Sequence, residues 1–497
     1  MIQALASVPL IELKQDLSCE EVLCIDGIGE GRIYRQLRSW LAKLPNRFLV
    51  FLEEDEEMLE RAKGEPWAQD SKVRLLSCKE DLDEAFKEIA WEFLFLKFSY
   101  VTERPEQMQS VFAKIEYYHR AVDLIGADYR DMGVTVTSNM IANASMWPLA
   151  KMGQSLKGAF QQVPAVICGG GASLLNEIAT LEAFSDRVLI FAGGSAMNRL
   201  ATSSIRPHFA VHFDPDPLSS GFLAQESTEI PLLYQNRFAS SLLHKAHAPL
   251  LWMAEGGNYP IEKWLKEVRQ IEVDPFDSGW TAVNFCAASA LLMGCDPIIF
   301  VGMELSSKEP LPGLDMTVVD VDGVTCYTRK DWLMSGEWLE NLAAVHPERS
   351  WINATEGGVG ALRRELLDDV LKTHCKRSWD LLGMVHAAVQ LATGIPGQEG
   401  VSVSQQLLES YQRCHAACDR LLTLFQKSYP QSPLDQGEYA LSLVDLEQEI
   451  AYRFVLEPMW QIWKRPILRT EKHPLGAHLH RLLFFKRAMM AYEQEVS

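Results

Sequence analysis

Two glycine-rich turns and an Asp-Pro-Asp triplet lie close together in the middle of the chain. The first turn, Gly169-Gly170-Gly171-Ala172-Ser173, and the second, Gly193-Gly194-Ser195, each follow a short apolar run and precede a helical pattern. Asp214-Pro215-Asp216 follows a third apolar run. Glycine lets a ligand approach the backbone at such turns, and the N–H groups at the start of a helix attract anions. The pattern therefore predicts a site for a phosphate-bearing ligand, such as a nucleotide or a nucleotide-sugar.

The residues expected to hold the phosphate belong to the two turns. They are Gly169, Gly170, Gly171, Ser173, Gly194 and Ser195. The serine hydroxyls suit either a helix cap or a bond to a phosphate oxygen, and the two roles are compatible. Because any tight connection from a strand to a helix favours glycine, a purely structural role stays open for each turn considered alone.

Asp214 and Asp216 supply two carboxylates at the end of a predicted strand. Carboxylates in this position suit a divalent cation such as Mg²⁺ that bridges phosphates, or they bind ribose hydroxyls. The alternative is an ordinary Asp-Pro turn whose side chains are solvated.

Polar residues follow or precede three further predicted elements. Ser278 stands before a predicted helix and suits an anion, although helix capping explains it equally well. Glu304 follows a predicted strand and is either a candidate acid/base or hydroxyl-binding residue, or an ordinary glutamate at a strand end. Asn353 and Thr355 offer directed hydrogen bonds, and the adjacent Glu356 suits a sugar hydroxyl or the role of a base.

Alternating strand and helix patterns must position these residues. Residues 1–125 contain four predicted strands, 22–25, 48–52, 73–76 and 93–96, which indicate an N-terminal α/β domain. Residues 126–365 contain the site and further strands, as expected for a Rossmann-like central domain with a parallel sheet. Residues 366–497 show only helical patterns and predict a C-terminal helical bundle. The predicted fold class is therefore α/β.

Composition narrows the class of protein. The formal net charge of −19 argues against general nucleic-acid binding, which depends on Lys and Arg to neutralise phosphates. There is no apolar run long enough to predict a membrane span and no pattern of a secretory signal, so we expect a cytoplasmic protein. The ten cysteines are expected to be reduced thiols. Cys414 and Cys418 are interpreted as members of a packing seam on one helix, in preference to metal ligands.

Four segments together resemble the motility-associated factor glycosyltransferases, which belong with the 6-hydroxymethylpterin diphosphokinase MptE-like domain family. They are PAVICGGGASL at 164–174, the stretch 205–215, GCDPIIFVGMEL at 294–305 and INATEGG at 352–358. Asn139 and Asn143 fit the same pattern, so the resemblance covers about residues 130–365. The flanking N-terminal and C-terminal regions also resemble the layout of this family.

The resemblance implies transfer of a nonulosonic, sialic-acid-like sugar from a CMP donor to Ser or Thr of an acceptor protein such as flagellin. It implies that Gly169, Gly171 and Ser173 take the donor phosphate and that Asp214 lies near the nucleotide. It places Asn353, Thr355 and Glu356 near the sugar or the acceptor. A nucleotide-sugar and a protein acceptor are thus the expected partners, and Mg²⁺ is a further candidate ligand.

The sequence also departs from the family pattern. Ala172 stands where the family usually has Pro, Gly279-Trp280 stand in place of Ser-Val, and Glu304 stands in place of Asp. Residues 306–315 lack the histidine expected there, so the base is Glu304, Glu356 or His346, or the chemistry is altered or lost. Two other functions stay open: a Mg²⁺-dependent diphosphokinase that acts on 6-hydroxymethylpterin with ATP, and a non-catalytic binding protein derived from a transferase.

Overall fold

The computed structural model describes residues 9–79, 82–217, 229–256, 258–396, 402–428, 436–469, 471 and 474–496. By its internal contacts, the chain divides into two compact units. One is formed mainly by Asp131–Pro458 and Lys486–Ser497, and the other by Ala6–Arg130 and Met459–Phe485. The three domain intervals drawn from the sequence stay a prediction.

The smaller unit contains a four-stranded parallel sheet with strand order β3-β2-β1-β4. Its strands are β1 (Val22–Asp26), β2 (Phe48–Glu53), β3 (Val73–Ser77) and β4 (Phe98–Val101). The helices α1 (Arg32–Lys43), α2 (Glu56–Lys63), α3 (Leu82–Ala90) and α4 (Pro105–Asn143) alternate with or follow these strands. The first three strands are confirmed, whereas the strand predicted at 93–96 is wrong. Phe93 ends a 3-10 turn, Trp91–Phe93, and its ring packs edge-on against Phe98 in the core, so the strand begins only at Phe98.

The larger unit contains a nine-stranded sheet in which every neighbouring pair is parallel. Its strands are β5 (Ala150–Met152), β6 (Ala165–Cys168), β7 (Leu189–Gly193), β8 (Phe209–His212), β9 (Leu232–Tyr234), β10 (Leu250–Trp252), β11 (Ile298–Val301), β14 (Trp351–Asn353) and β15 (Arg363–Arg364). The helices of this region are α5 (Ile178–Ala183), α6 (Ser195–Leu200), α7 (Ser240–Leu243), α8 (Ile261–Arg269), α9 (Ala282–Met293) and α10 (Lys330–Val345). The α/β fold class with parallel sheets is confirmed.

The order of the strands places a topological switch point at β6. From β6 the chain adds β7, β8, β9 and β10 in succession on one side, and β11, β14 and β15 on the other. Where the connections after two adjacent parallel strands run in opposite directions, a crevice opens at the carboxyl ends of those strands. Here the two strands are β6 and β11. The buried helix α9 packs against β6, β7 and β11 and fixes the floor of this region.

A two-stranded antiparallel hairpin, β12 (Met316–Val319) and β13 (Thr325–Thr328), stands between β11 and α10. The sequence analysis did not predict it. Met316 and Val318 on one face pack against the core of the larger unit, and Cys326 is buried. The hairpin is therefore anchored by one of its faces.

The C-terminal part of the described chain after β15 is helical, as predicted. Its helices are α11 (Leu367–His374), α12 (Leu381–Leu391), α13 (Val403–Ser428), α14 (Gln436–Glu447), α15 (Glu457–Leu468) and α16 (Pro474–Val496). On α13 the buried seam of Leu407, Tyr411, Cys414, Cys418 and Leu421 is confirmed as packing. All ten cysteines are free, and burial raises the pKa of Cys414 to about 12, as expected for an unreactive structural thiol.

Candidate active site

A cavity of about 280 Å³ lies at the carboxyl ends of β6, β7, β8 and β11, where the switch point predicts a ligand crevice. This volume is close to the lower end of the range of about 300–1,000 Å³ that is usual for ligand pockets. The residues that line it come from both glycine turns, the strand end at Asp214, the start of α9, and the segments before and after the hairpin. The cavity therefore brings together residues that are far apart in sequence.

The first glycine turn packs closely against the end of β11. The N–H of Gly169 donates to Val301 O at 2.8 Å, and that of Gly171 donates to Gly302 O at 2.8 Å. A side chain at Gly171 would collide with the carboxylate of Glu304. The φ of Gly171, −74°, is open to any residue, so the constraint at this position is space: a Cβ here would push the flexible Glu304 carboxylate aside.

The carboxylate of Glu304 occupies the position over this turn where a phosphate was expected. Glu304 Oε1 accepts a hydrogen bond from the N–H of Ser173 at 2.8 Å. Its other oxygen, Oε2, is buried and has no hydrogen-bond partner within the described part of the chain. Two anions cannot share these amides without strong repulsion. The first turn consequently holds a carboxylate of the protein itself.

The start of α9 and the second glycine turn face the same cavity and offer a different place for an anion. Gly193 packs so closely against Ala282 that an added Cβ would lie 2.9 Å from the Ala282 side chain. Thr281 caps the helix, and its N–H donates to Asn284 Oδ1 at 3.1 Å. The positive end of the twelve-residue helix α9 thereby points into the cavity beside Gly194.

Arg329 supplies the cationic side chain of the cavity. Its Nη2 lies 2.8 Å from Asp331 Oδ2, and its guanidinium lies 4.9 Å from the ring centre of Trp332. The arginine side chain is 46% exposed, so it can reach a ligand while it is held from two sides. Burial raises the pKa of the Asp331 carboxyl, and Arg329 partly opposes this shift.

Asp214 places a third carboxyl in the cavity, beside those of Glu304 and Asp331. Burial raises its pKa from 3.8 to about 6, and the charges of Arg237 and Arg329 partly oppose the shift. A buried asparagine, Asn139, holds this loop in place. Its Nδ2 donates to Pro215 O at 3.0 Å and to Arg237 O at 3.2 Å, and its Oδ1 accepts from the N–H of Ser240 at 3.1 Å.

The structure separates the predicted site residues into three groups. Those that line the cavity are Gly170, Gly171, Gly194, Ser195, Asp214 and Glu304. Those that lie behind it are Gly169, Ser173, Asn353 and Thr355, and those outside its lining are Asp216, Ser278 and Glu356.

The second group has clear structural contacts. Asn353 Nδ2 donates to Ala361 O at 2.7 Å, and Asn353 Oδ1 accepts from the N–H of Thr355 at 3.0 Å. Thr355 Oγ1 in turn accepts from the N–H of Met303 at 3.0 Å. These buried side chains hold the backbone next to Glu304 in position, so their contacts are with the protein itself.

The third group has partners away from the cavity. Glu356 is exposed and accepts a hydrogen bond from Asn176 Nδ2 at 3.1 Å, and Ser278 Oγ donates to Gln235 Oε1 at 3.3 Å. His346, the other candidate base, lies at the end of α10 beside Glu348. Among the described residues no group of three or more His, Cys, Asp or Glu side chains is arranged to hold a metal ion. Mg²⁺ held by Asp214 and Asp216 and completed by a ligand phosphate stays a prediction.

No sequence pattern predicts the cavity residues that follow the hairpin, because Arg329, Asp331 and Trp332 lie in a segment for which no strand is expected. The start of α9, expected through Ser278 to suit an anion, lines the cavity through Thr281. The capping-box spacing from Thr281 to Asn284 marks where this helix begins.

Comparison with known proteins bears on this region directly. Residues 138–310 match the sequence profile of a family described as 6-hydroxymethylpterin diphosphokinase MptE-like. The family resemblance is confirmed. The MptE-like region contains both glycine turns, Asp214, α9 and Glu304, whereas Arg329 and Asp331 lie beyond its end.

The whole fold is similar to that of the MAf glycosyltransferase from Magnetospirillum magneticum AMB-1. The TM-score is 0.55 at 15% sequence identity, and the similarity covers 96% of this chain and 79% of that chain. At this identity the likeness establishes the fold. A search of curated proteins found no match. Within the described residues, no helix combines the length and apolar character that a membrane span requires.

Proposed function

We propose that this chain is a glycosyltransferase that moves a nonulosonic sugar from a CMP donor to a Ser or Thr hydroxyl of a polypeptide. The observation that carries the proposal is the cavity at the switch point, which joins an anion-attracting helix start and Arg329 with the half-buried carboxyl of Asp214. The similarity in fold to a MAf glycosyltransferase supports it.

The donor phosphate belongs at the start of α9 in this proposal, because Glu304 already occupies the first glycine turn. Arg329 pairs with the phosphate or with the carboxylate of the sugar. Phe213, Trp280 and Trp332 give the cavity aromatic walls on which the pyrimidine can stack. Departing CMP then leaves with the electron pair of the bond between the anomeric carbon and its phosphate oxygen, and the helix start stabilises its charge.

Asp214 is the base in this scheme. The acceptor oxygen attacks the anomeric carbon while its proton passes to the Asp214 carboxylate. A general base is most efficient when its pKa lies near the working pH, and burial raises the pKa of Asp214 to about 6. Transfer therefore requires ionised Asp214 and increases as the pH rises through about 6.

A diphosphokinase that acts on a hydroxymethylpterin is the second candidate, because the matched family is described by that activity. In this function Mg²⁺ is held by Asp214 and Asp216 together with a phosphate of ATP. A non-catalytic binding protein is the third, and the occupation of the first glycine turn by Glu304 favours it.

Calorimetric titration with CMP, CDP and ATP, each with and without Mg²⁺, separates these functions. The transferase binds CMP without a metal, whereas the kinase prefers ATP with strict dependence on Mg²⁺. Arg329→Met should weaken CMP binding at least tenfold, while Arg363→Met, which removes an exposed arginine outside the cavity, should change the Kd by less than twofold. Failure of all three nucleotides to bind would refute the transferase and the kinase alike.

A further inference from the structure

A second cavity, of about 940 Å³, lies at the amino ends of strands in the larger unit. Its lining includes Ile190 near the start of β7, His208 directly before β8, Pro231 directly before β9 and Pro249 directly before β10. Because these strands are parallel, this edge of the sheet is opposite to the edge that carries Asp214. The volume is near the upper end of the range of about 300–1,000 Å³ that is usual for ligand pockets. The cavity is therefore large enough for a ligand of its own.

The segments that enter the strands give the cavity a wall whose backbone is already satisfied. Pro207, Pro231 and Pro249 line this wall, and proline has no backbone N–H. The carbonyl of Pro231 accepts from the N–H of Ala210 at 2.9 Å, and that of Pro249 accepts from the N–H of Leu232 at 2.9 Å. These residues consequently present apolar rings to the cavity.

Helix α12 adds a second apolar wall. Leu381, Val385 and Val389 follow one another at intervals of four residues, so they lie on one face of the helix, and all three are buried. The neighbouring Leu382 also lines the cavity and is 75% exposed, so the cavity reaches the surface. Both walls favour a ligand that is mostly apolar.

His208 places a hydrogen-bond donor in the cavity. The residue is 9% exposed, and its Nδ1 accepts from the N–H of Ile190 at 3.0 Å. The backbone N–H of His208 donates to Ile190 O at 2.8 Å, so both the ring and the backbone are fixed to β7. Burial lowers the pKa of His208 to about 4, and the ring is therefore neutral at pH 7.

The hydrogen bond at Nδ1 determines which nitrogen of His208 carries the proton. Since Nδ1 is an acceptor, the proton of the neutral ring is on Nε2. Nε2 has no hydrogen-bond partner among the residues that the structure describes, and it is not fully enclosed by protein atoms. This N–H group is thus available to an acceptor atom in the cavity.

The charged groups in the lining are mainly acidic. Carboxylates are contributed by Glu182, Asp186, Glu229 and Asp380, whereas the guanidinium is that of Arg206, which is already paired with Glu229 at 3.1 Å. An anionic ligand would be repelled by these carboxylates. A cationic ligand gains nothing from the neutral imidazole, because the available Nε2–H is a donor. The lining therefore favours an uncharged ligand.

We propose that this cavity binds an uncharged, mostly apolar small molecule whose carbonyl or hydroxyl oxygen accepts a hydrogen bond from His208 Nε2. The apolar part of the molecule contacts the proline wall and the buried face of α12. This site is independent of the proposed transferase function, since it lies at the other edge of the sheet and shares no lining residue with the candidate active site.

Titration of the full-length chain with Nile red, an uncharged aromatic dye that has a carbonyl acceptor, tests the proposal by the change in dye fluorescence. Three competitors of equal chain length then examine the effect of charge at neutral pH. Decan-1-ol should displace the dye, whereas decanoate and decylammonium should need concentrations about tenfold higher or more, because each must bring an ion into an apolar cavity.

Two variants examine the two parts of the site. His208→Asn keeps an acceptor for the Ile190 N–H but removes the Nε2 donor, and it should weaken decan-1-ol binding about fivefold. Val385→Phe fills part of the cavity and should weaken the binding of Nile red and decan-1-ol by about tenfold or more. Leu391→Phe is the control on the same helix, because Leu391 is 86% exposed and outside the lining, and it should leave both Kd values within about twofold of wild type. Urea unfolding followed by tryptophan fluorescence shows whether each variant is folded.

Four results would overturn the proposal. They are no binding of Nile red to the wild-type chain, wild-type affinity in both His208→Asn and Val385→Phe, an equal loss in Leu391→Phe, and displacement by either ion at the same concentration as by decan-1-ol. Sedimentation velocity with and without Nile red distinguishes a further occupant. A wild-type dimer that the dye dissociates would assign the cavity to a second copy of the chain and would likewise contradict a small-molecule site.

Discussion

Replacement of Asp214 by asparagine should stabilise the protein at neutral pH while it abolishes transfer. Burial raises the pKa of this carboxyl from 3.8 to about 6, so the folded protein retains a proton that the unfolded chain has already lost. A group with this sign of shift contributes stability below pH 4, and that contribution disappears as the pH rises through about 6. Asparagine cannot ionise and therefore escapes the loss.

The size of the effect follows from the shift. Each pKa unit corresponds to about 1.4 kcal/mol, so ionisation of Asp214 lowers the free energy of unfolding by up to about 3 kcal/mol above pH 7. Since the Asp214 side chain is only half-buried, solvent screening reduces this loss of unfolding free energy to about 2 kcal/mol. The difference between Asp214→Asn and the wild type should be close to zero near pH 4 and should reach its full value by about pH 7.

Urea unfolding followed by tryptophan fluorescence at pH 4, 5, 6, 7 and 8 measures this difference. Both proteins share all other titrating groups, and Asp216 and Asp331, whose charges also raise the pKa of Asp214, enter the difference only through their repulsion with its carboxylate. Asp216→Asn is the matched control because it removes a carboxylate from the same loop but outside the cavity lining. A constant difference across the pH range, or an equal pH-dependent gain in the control, would refute burial of Asp214 as the cause.

Three further variants examine the first glycine turn and the loop of Asp214. Gly171→Ala should lower the free energy of unfolding by about 1–3 kcal/mol, because its Cβ collides with the Glu304 carboxylate, whereas Gly394→Ala, which has open space, should be neutral in urea unfolding. Asn139→Ala should cost about 2–4 kcal/mol in the same assay, since it leaves the carbonyls of Pro215 and Arg237 and the N–H of Ser240 without their partner. Glu304→Gln should leave the calorimetric Kd for CMP within threefold if the phosphate binds at the start of α9; a gain of tenfold or more would place the phosphate at the first turn instead.

The parts of the site that sequence predicts well are those that a short local pattern specifies. An apolar run followed by glycine fixes both a strand end and a tight turn, and Gly170 and Gly194, which were predicted from this pattern, both line the cavity. The convergence of these turns with Asp214 follows from the parallel order of β6, β7 and β8. The alternation of strands and helices was likewise sufficient to predict the α/β class.

The parts that failed depend on contacts between distant segments. The hairpin strands β12 and β13 have four residues each, which is too short for a clear alternation of polar and apolar side chains. Because the hairpin is not predicted from the sequence, nothing in the sequence indicates that Arg329, which follows it, lies at the cavity. Asn353 and Thr355 read as ligand-binding residues because a compact polar motif has the same appearance whether its partners are a ligand or the backbone.

Glu304 lines the cavity, and the acid/base or hydroxyl-binding role expected for it stays a prediction. The Gly171 turn has room for one anion, and the Ser173 N–H already donates to the Glu304 carboxylate. A phosphate at this turn must displace that carboxylate from the Ser173 N–H and so removes its hydrogen bond. A phosphate at the start of α9 needs no such displacement, because Thr281, Ala282 and Val283 line the cavity there and Arg329 lines it as well. The positions of these charges therefore favour the start of α9 as the anion site. The Glu304 carboxylate then fills the first glycine turn beside it.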